Sequence, residues 1–350
     1  MAGKPLFEQY GVHVMVDGQY GSTGKGALGA WLAEQAFIQR VEFGAVVSNA
    51  GPNSGHTFYH NGEKHVLKML PTFAVATYLM NGFGPIVMMS AGAIIDPAVL
   101  FREAEKYPGL TIFVDPNAAV ILPEDVEAEH SGSIAAVAGT RTGTGAALAR
   151  KVYRDERAVF GTFVQTTALP IPKNVFVGPH NGTGNIMWRK SRVFMEVSQG
   201  FSLGINSQFY PKVTSRECTV MQGIADARLP PQSVSRTYMV IRTFPIRVGN
   251  HEGFSSGDCY PDQREITWGE LGVEPELTTV TQRVRRVFTF SEMQYMEALR
   301  ANNPDFVFCN FLNYLPSTEH QERFLRDVHR SGVGLIAGRG PESKDITRVT

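Results

Sequence analysis

Apolar side chains dominate positions 12–16 (VHVMV), and the run stops at Asp17 before a glycine-rich turn, GQYGSTGKG. A short apolar run closed by a polar residue and glycines predicts a buried strand. Beyond the turn, Leu28, Trp31, Leu32, Gln35 and Ala36 fall along one side of a helix predicted over Ala27 to Gln39. Ala45 to Val47 predicts a second strand, which runs into NAGPNSGHT. Phe58 to Leu70 predicts a hairpin about Asn61-Gly62, because Asn-Gly tolerates the positive φ angles of a two-residue turn. Further strands are expected at Ile86 to Met89, Thr111 to Val114, Val193 to Val197, Thr237 to Ile241, Phe306 to Phe308 and Val333 to Ile336. Helices are expected at Pro97 to Lys106 and Ser317 to His329. Alternation of this kind predicts an α/β fold whose central, mostly parallel sheet is flanked by helices. Its opening unit of strand, glycine turn and helix is P-loop-like. Val248 to Asp262 and Gly269 to Thr281 read as loops, and long loops in a compact domain often carry function.

Length and composition narrow the classes. The 350 residues, 43% apolar, suffice for one large domain over 1–350 with loop and subdomain insertions. Lys+Arg and Asp+Glu balance at 33 each with no long basic run, which argues against a nucleic-acid partner. The three cysteines, Cys218, Cys259 and Cys309, form no C-x-x-C pair and suggest neither a disulfide framework nor a zinc site. The longest apolar stretch, Pro85 to Ile95, contains Ser and Gly and is too short to span a bilayer. A cytoplasmic protein without a membrane partner is expected.

Four motifs carry candidate chemistry. Gly18, Gly21, Gly24 and Gly26 let the backbone approach a phosphate, and Lys25 adds a charge near a helix N-terminus. The usual P-loop pattern needs glycine where Gln19 stands and Ser or Thr where Gly26 stands, and an ordinary strand-to-helix turn also uses glycines. In Asn53-Ser54-Gly55-His56-Thr57, His56 sits among small residues in a loop after a strand, where a side chain can face a ligand. The segment GTRTGTG, Gly139 to Gly145, offers hydroxyls and backbone donors for a second phosphate, or is a flexible linker. In QRVRR, Gln282 to Arg286, guanidinium forks can take a carboxylate bidentately, although short basic runs are usually solvated.

The order and spacing of these motifs resemble the adenylosuccinate synthetase family. The family opening G-x-Q-W-G-D-E-G-K-G-K corresponds to Gly18 through Gly26, and G-H-N-A-G-H-T to Gly51 through Thr57, followed by NGEKHVLKMLP. The glycine/threonine loop corresponds to Gly139 through Gly143, and K-V-A-R to Lys151-Val152-Tyr153-Arg154. E-G-A-Q-G and Y-P-Y-V-T correspond to Glu196 through Gly200 and Tyr210 through Thr214, and T-T-G-R-R-R-R to Val280 through Arg286. Family enzymes use Mg²⁺ and GTP to phosphorylate the 6-oxygen of IMP, after which the aspartate amine displaces phosphate. By resemblance, Gly21, Gly24, Lys25, Gly26 and Thr57 hold the donor phosphates, with Asn310, Asn313, Gly338 and Pro341 also on the donor nucleotide. His56 lies against the migrating phosphoryl. Asn53, Thr140 and Thr214 serve the acceptor phosphate, Gln199 serves the acceptor base, and Arg154 serves the acceptor nucleotide from a homodimer partner. Thr281, Arg283 and Arg285 grip L-aspartate, and Ser22 and Gly55 face Mg²⁺.

Two departures reshape the expected substrates. Ser22 stands where the family has an aspartate that takes the N1 proton and binds the metal, and a hydroxyl is a poor base and a weak ligand. A smaller side chain there makes room for a purine 2-amino group, which resembles the phage deoxyguanylosuccinate synthase branch. Asn310-Phe311-Leu312-Asn313 stands where the family has T-K-L-D, so the carboxylate that reads guanine on the donor is missing and ATP or dATP is expected. A ligase coupling dGMP to L-aspartate is thus expected. An ordinary synthetase using IMP and GTP, or a noncatalytic purine nucleotide-binding protein, are the alternatives.

Overall fold

The structure, a computed structural model, describes residues 4–131, 139–178, 188–250, 253–278 and 282–349. Its strands are β1 (Gly11–Asp17), β2 (Ala45–Ser48), β3 (His56–His60), β4 (Glu63–Leu67), β5 (Ile86–Met89), β6 (Ile94–Ile95), β7 (Ile112–Val114), β8 (Ala119–Val120), β9 (Val175–Val177), β10 (Arg192–Glu196), β11 (Val234–Arg242), β12 (Ile246–Arg247), β13 (Glu265–Ile266), β14 (Arg286–Phe288), β15 (Phe306–Asn310), β16 (Gly334–Gly338) and β17 (Ile346–Arg348). Ten of them form one sheet in the order β17-β16-β15-β11-β1-β10-β2-β5-β7-β9. Its pairings are parallel except for β16 with β17 at one edge. The mostly parallel α/β sheet expected from the apolar runs is therefore present.

Every residue of β1 is buried, because both faces of the strand are covered. Met15 packs with Leu28, Trp31 and Leu32 of α1 (Lys25–Ile38) and with Phe73 of α2 (Thr72–Asn81). On the other face Val12, Val14 and Val16 pack with Ile224 of α3 (Val220–Asp226), Tyr295 of α4 (Glu292–Asn302) and Leu325 of α5 (Thr318–Val328). The period-two alternation of β1 thus divides its side chains between two cores.

Several elements differ from the sequence reading. Helix α2 has no clean polar face: Thr72 to Ala76 are all buried, so the periodicity that marks amphipathic helices is missing. Inside the expected Gly269 to Thr281 loop lies a turn of helix, Trp268–Leu271, closed by a capping box between Thr267 and Glu270. The hairpin is as expected: β3 and β4 pair antiparallel about Asn61 and Gly62, with φ of 50° and 79°. No helix among the described residues is long and apolar enough to cross a membrane.

His13, also on β1, is fully buried among Phe7, Phe43 and Tyr238. Burial, reinforced by Arg236 and Arg192, pushes its imidazole pKa down to about 3. The unfolded chain protonates His13 near 6.5, whereas the folded chain resists until about 3. The unfolded state therefore binds more protons in that window, so stability is lost as pH falls through it. Urea unfolding at pH 7, 6 and 5 should show His13 contributing about 1.4 kcal/mol of loss per pH unit below its unfolded pKa. His13→Leu should remove that part of the slope, and an unchanged slope would mean that His13 titrates normally in the fold.

Candidate functional site

Parallel strands β2, β10, β1, β11 and β15 end at the same edge of the sheet, and the motifs follow their ends. That edge is where open α/β sheets bind ligands. A cleft of about 1140 Å³ opens there. It is lined by Gly21, Ser22, Gly24, Lys25 and Gly26 from the first turn, and by Asn53, Gly55, His56 and Thr57 from the second motif. Thr140, Gln199, Thr214, Arg285, Asn310, Asn313 and Pro341 complete the expected residues that line it.

Backbone contact sets the geometry of the first turn. A Cβ on Gly200 falls 2.0 Å from the nitrogen of Gly21, so the two loops touch with no side chain between them. Next to this contact, Ser22 and Gln199 both adopt positive φ, 54° and 71°. Such strain at non-glycine residues persists only where surroundings enforce it, and it concentrates at functional sites. Ser22 is exposed in the cleft, and its carbonyl accepts Arg242 Nη1 at 3.0 Å.

The turn is held from beneath by Asp17, a residue the sequence reading used only to end a strand. Its carboxylate accepts Gln19 N at 2.8 Å, Gly21 N at 3.2 Å and the Thr23 hydroxyl. Lys25 Nζ donates to Asp17 Oδ2 at 3.1 Å and to the Gln199 carbonyl at 2.7 Å. Lys25 is only 4% exposed, so its charge is compensated where water does not reach.

His56 begins β3, with Nδ1 3.5 Å from Glu196 Oε2, and its buried Nε2 has no hydrogen-bond partner. Glu196, at the end of β10, is anchored by accepting Phe73 N at 2.8 Å on its other oxygen. A protonated ring can donate Nδ1–H to Glu196 while Nε2–H is left for a ligand oxygen. Gln199 Nε2 donates to Asn53 Oδ1 at 2.7 Å, joining two residues expected at the acceptor.

The Gly139 to Gly145 segment is partly anchored within the fold. Glu129 accepts the backbone N–H groups of Gly143 at 2.7 Å, Gly145 at 2.6 Å and Ala146 at 3.3 Å. Those three amides are committed to Glu129, and Thr140 lines the cleft ahead of them. Asn310 also has a second job. Its Nδ2 donates to the Thr23 carbonyl at 3.2 Å and its Oδ1 accepts Phe311 N at 2.9 Å, so the side chain holds the glycine turn. Gly338 does not line the cleft; it lies behind Asn310, whose Oδ1 would be 2.4 Å from a Cβ there. Arg154 lies outside the lining too, exposed at φ 64° beyond Val152. Thr281 falls outside the described residues.

Around the arginine loop, Arg285 lines the cleft but Arg283 does not. The Arg283 backbone is tied to Thr278, N–H to hydroxyl at 3.0 Å and carbonyl to Thr278 N at 2.8 Å. Burial lowers the Arg285 guanidinium to about 10, with Glu276 opposing and Arg242 adding to the shift. It remains a cation at neutral pH. Fully buried Arg242 pairs with Glu276, its Nη1 3.2 Å from Oε2, and stacks 3.9 Å from the Phe311 ring centre. Neither Arg242 nor Glu276 stood out in the sequence, because a lone arginine ending an apolar strand carries no spacing signal.

Known proteins bear on this arrangement. The family model for adenylosuccinate synthetase matches residues 14–169 and 180–320. An N6-succino-2-amino-2'-deoxyadenylate synthase of Salmonella phage PMBT28 is 38% identical, over 95% of this chain and 96% of that protein. The solved succinoaminodeoxyadenylate synthetase of cyanophage S-2L, bound to dGMP and to dATP as energy donor, superposes with a TM-score of 0.87. It is 34% identical and the match covers 97% of this chain and 96% of that one. The fully ligated adenylosuccinate synthetase of Plasmodium falciparum shares the fold, with a TM-score of 0.77 at 16% identity over 97% of this chain and all of that one.

The Gly21–Gly200 approach yields a direct test. Gly200→Ala forces backbone apart and should cost about 2 kcal/mol or more by urea unfolding. Gly269→Ala, whose added methyl meets only Thr267 Oγ1 at 3.8 Å, should be neutral or stabilising. Equal stability of the two variants would show that the loops can part freely.

Proposed function

The chain belongs to the adenylosuccinate synthetase family, and from that premise we propose that it joins dGMP to L-aspartate using ATP or dATP. The observation that carries this reading is Ser22, a small exposed side chain in the cleft where the family motif has an acid. The phage relatives named for the 2-amino product support it. In the reaction, N1 of dGMP releases its proton to water as O6 attacks the γ-phosphorus of the donor, and the nucleoside diphosphate leaves. The aspartate amine then attacks C6, and the C6–O bond breaks as phosphate departs. The product is N6-succino-2-amino-2'-deoxyadenylate.

Each group has a part in this scheme. Lys25 and the N-terminus of α1 bind donor phosphates. His56, backed by Glu196, donates Nε2–H to the migrating phosphoryl, a contact that strengthens as charge develops. Gln199 orients the acceptor base, while Asn53, Thr140 and Thr214 hold its 5′-phosphate. Arg285 takes an aspartate carboxylate, and by resemblance Thr281 and Arg283 join it. Ser22 hydrogen-bonds the N1/N2 edge of the purine. Where the family acid would meet the 2-amino group, the hydroxyl leaves room.

On the donor side, 310–313 holds no carboxylate to face guanine N1–H and N2–H₂, which favours an adenine base beside Asn313 and Pro341. Mg²⁺ fits an all-oxygen set of the Ser22 hydroxyl, the Gly55 carbonyl, donor phosphate oxygens and water. Bound there, the ion supplies charge neutralisation for the transferring phosphoryl. A homodimer places Arg154 in the partner's cleft. In support, Tyr153 beside it is 85% exposed, and Lys151 fastens the segment by donating to the Ala91 carbonyl at 2.8 Å. Such nucleotide pools are cytoplasmic.

Two experiments test the reading. Phosphate release with aspartate, over dGMP, GMP, IMP and dIMP against ATP, dATP and GTP, should be fastest with dGMP and an adenine donor. Ser22→Asp should lower kcat/KM for dGMP by roughly tenfold or more and shift preference toward IMP. A parent that prefers IMP and GTP would make the chain an ordinary adenylosuccinate synthetase. His56→Ala should lower turnover by roughly 10²-fold while leaving dGMP affinity near that of the parent. Turnover within twofold of the parent removes His56 from the chemistry.

A further inference from the structure

Lys25 has three ammonium hydrogens, and the protein engages it at two points. One is Asp17 Oδ2 at 3.1 Å and the other is the Gln199 carbonyl at 2.7 Å. An ammonium fixed at two corners has its third N–H direction set, and Lys25 lines the cleft. We propose that Asp17 is the positioning residue that aims Lys25 at the donor phosphates, doing from beneath the turn what no acid within the turn can do. This rests on the phosphoryl-transfer reading above.

The sequence of the turn explains why the task falls to Asp17. The family motif has two adjacent acids, D-E, where this chain has Ser22 and Thr23. From Gly18 to Gly26 there is no carboxylate at all. Asp17 is the side-chain acid recorded in an ion pair with Lys25, and both are nearly inaccessible, 1% and 4% exposed. The Thr23 hydroxyl and the amides of Gln19 and Gly21 occupy the rest of the carboxylate. Asp17 is thus saturated with donors. It serves to hold the charge of Lys25 and the curvature of the turn in one arrangement. The negative charge lies on the buried side of the turn, and the substrate side keeps a hydroxyl and space.

The test is a cycle of Asp17→Asn, Lys25→Met and the double variant in the full chain, read by melting temperature, dGMP affinity and the kinetics of ATP-dependent phosphate release. Asp17→Asn should keep dGMP affinity within about threefold and lower kcat/KM for ATP by roughly 30-fold or more. In the Lys25→Met background the same change should cost less than about threefold, since its target is gone. Multiplying effects would overturn the proposal, because a merely structural Asp17 acts whether or not Lys25 is present. The melting comparison needs no activity. Lys25→Met strands the Asp17 charge, so the double variant should melt above Lys25→Met. A double variant melting below it would equally overturn the proposal. If Asp17→Asn alone does not fold, a folded double variant supports the pairing and an unfolded one refutes it. A parent that releases no phosphate with any acceptor would defeat the phosphoryl-transfer reading, while the melting cycle would still decide whether the two charges depend on each other.

Discussion

Gly21 and Gly200 bring two loops from neighbouring strands into backbone contact, and the rest of the cleft is arranged around that contact. With no side chain between them, Lys25 reaches the Gln199 carbonyl from one loop, and Gln199 turns its amide to Asn53 on a third. Strained backbone recurs around the cleft. Ser22, Arg141, Gln199 and Phe311 all line the cleft with positive φ, each costing on the order of 1 kcal/mol or more. The sheet beneath supplies the compensation, since β1 and β10 are paired in fixed register and covered on both faces.

Buried charge is the second organising element. Asp17 with Lys25 and Glu276 with Arg242 each place an acid at or behind the cleft. Breaking a buried pair by removing one partner typically costs 3–5 kcal/mol, about as much as losing a large core side chain. These pairs therefore tie the shape of the cleft to the stability of the fold. Glu129 extends the pattern, because its carboxylate fixes three amides of the segment that carries Thr140.

The sheet was largely legible in the sequence because its strands are covered on both faces and so appear as unbroken apolar runs between glycines and polar residues. Helix α2 was hidden by the same property, since a helix buried on most sides loses the polar stripe that marks it. Of the site, what could be read were residues in glycine-rich motifs, such as Lys25, His56 and Gln199. What could not be read were the residues that position them. Asp17, Glu129 and Glu276 act through folded contacts with partners at variable separations, from 8 positions for Asp17 and Lys25 to 34 for Glu276 and Arg242. No local pattern encodes such distances. Asn310 has a part the motif did not suggest: it lines the cleft as expected, and its side chain also donates to the Thr23 carbonyl.

The central position of β1 has a consequence for how the chain is made. Met15 lies beside Glu196 on one neighbour, and Val14 lies beside Thr237 on the other. A ribosome emits β1 first, yet both strands that pair with it emerge almost two hundred residues later or more. At about 5–20 residues per second, a mostly apolar strand waits on the order of ten seconds or more with both edges open. During that interval it is a template for misassociation, and closing such distant pairs is intrinsically slow. The same topology that gathers five strand ends around one cleft leaves the pairing of β1 incomplete until residue 242 has left the ribosome.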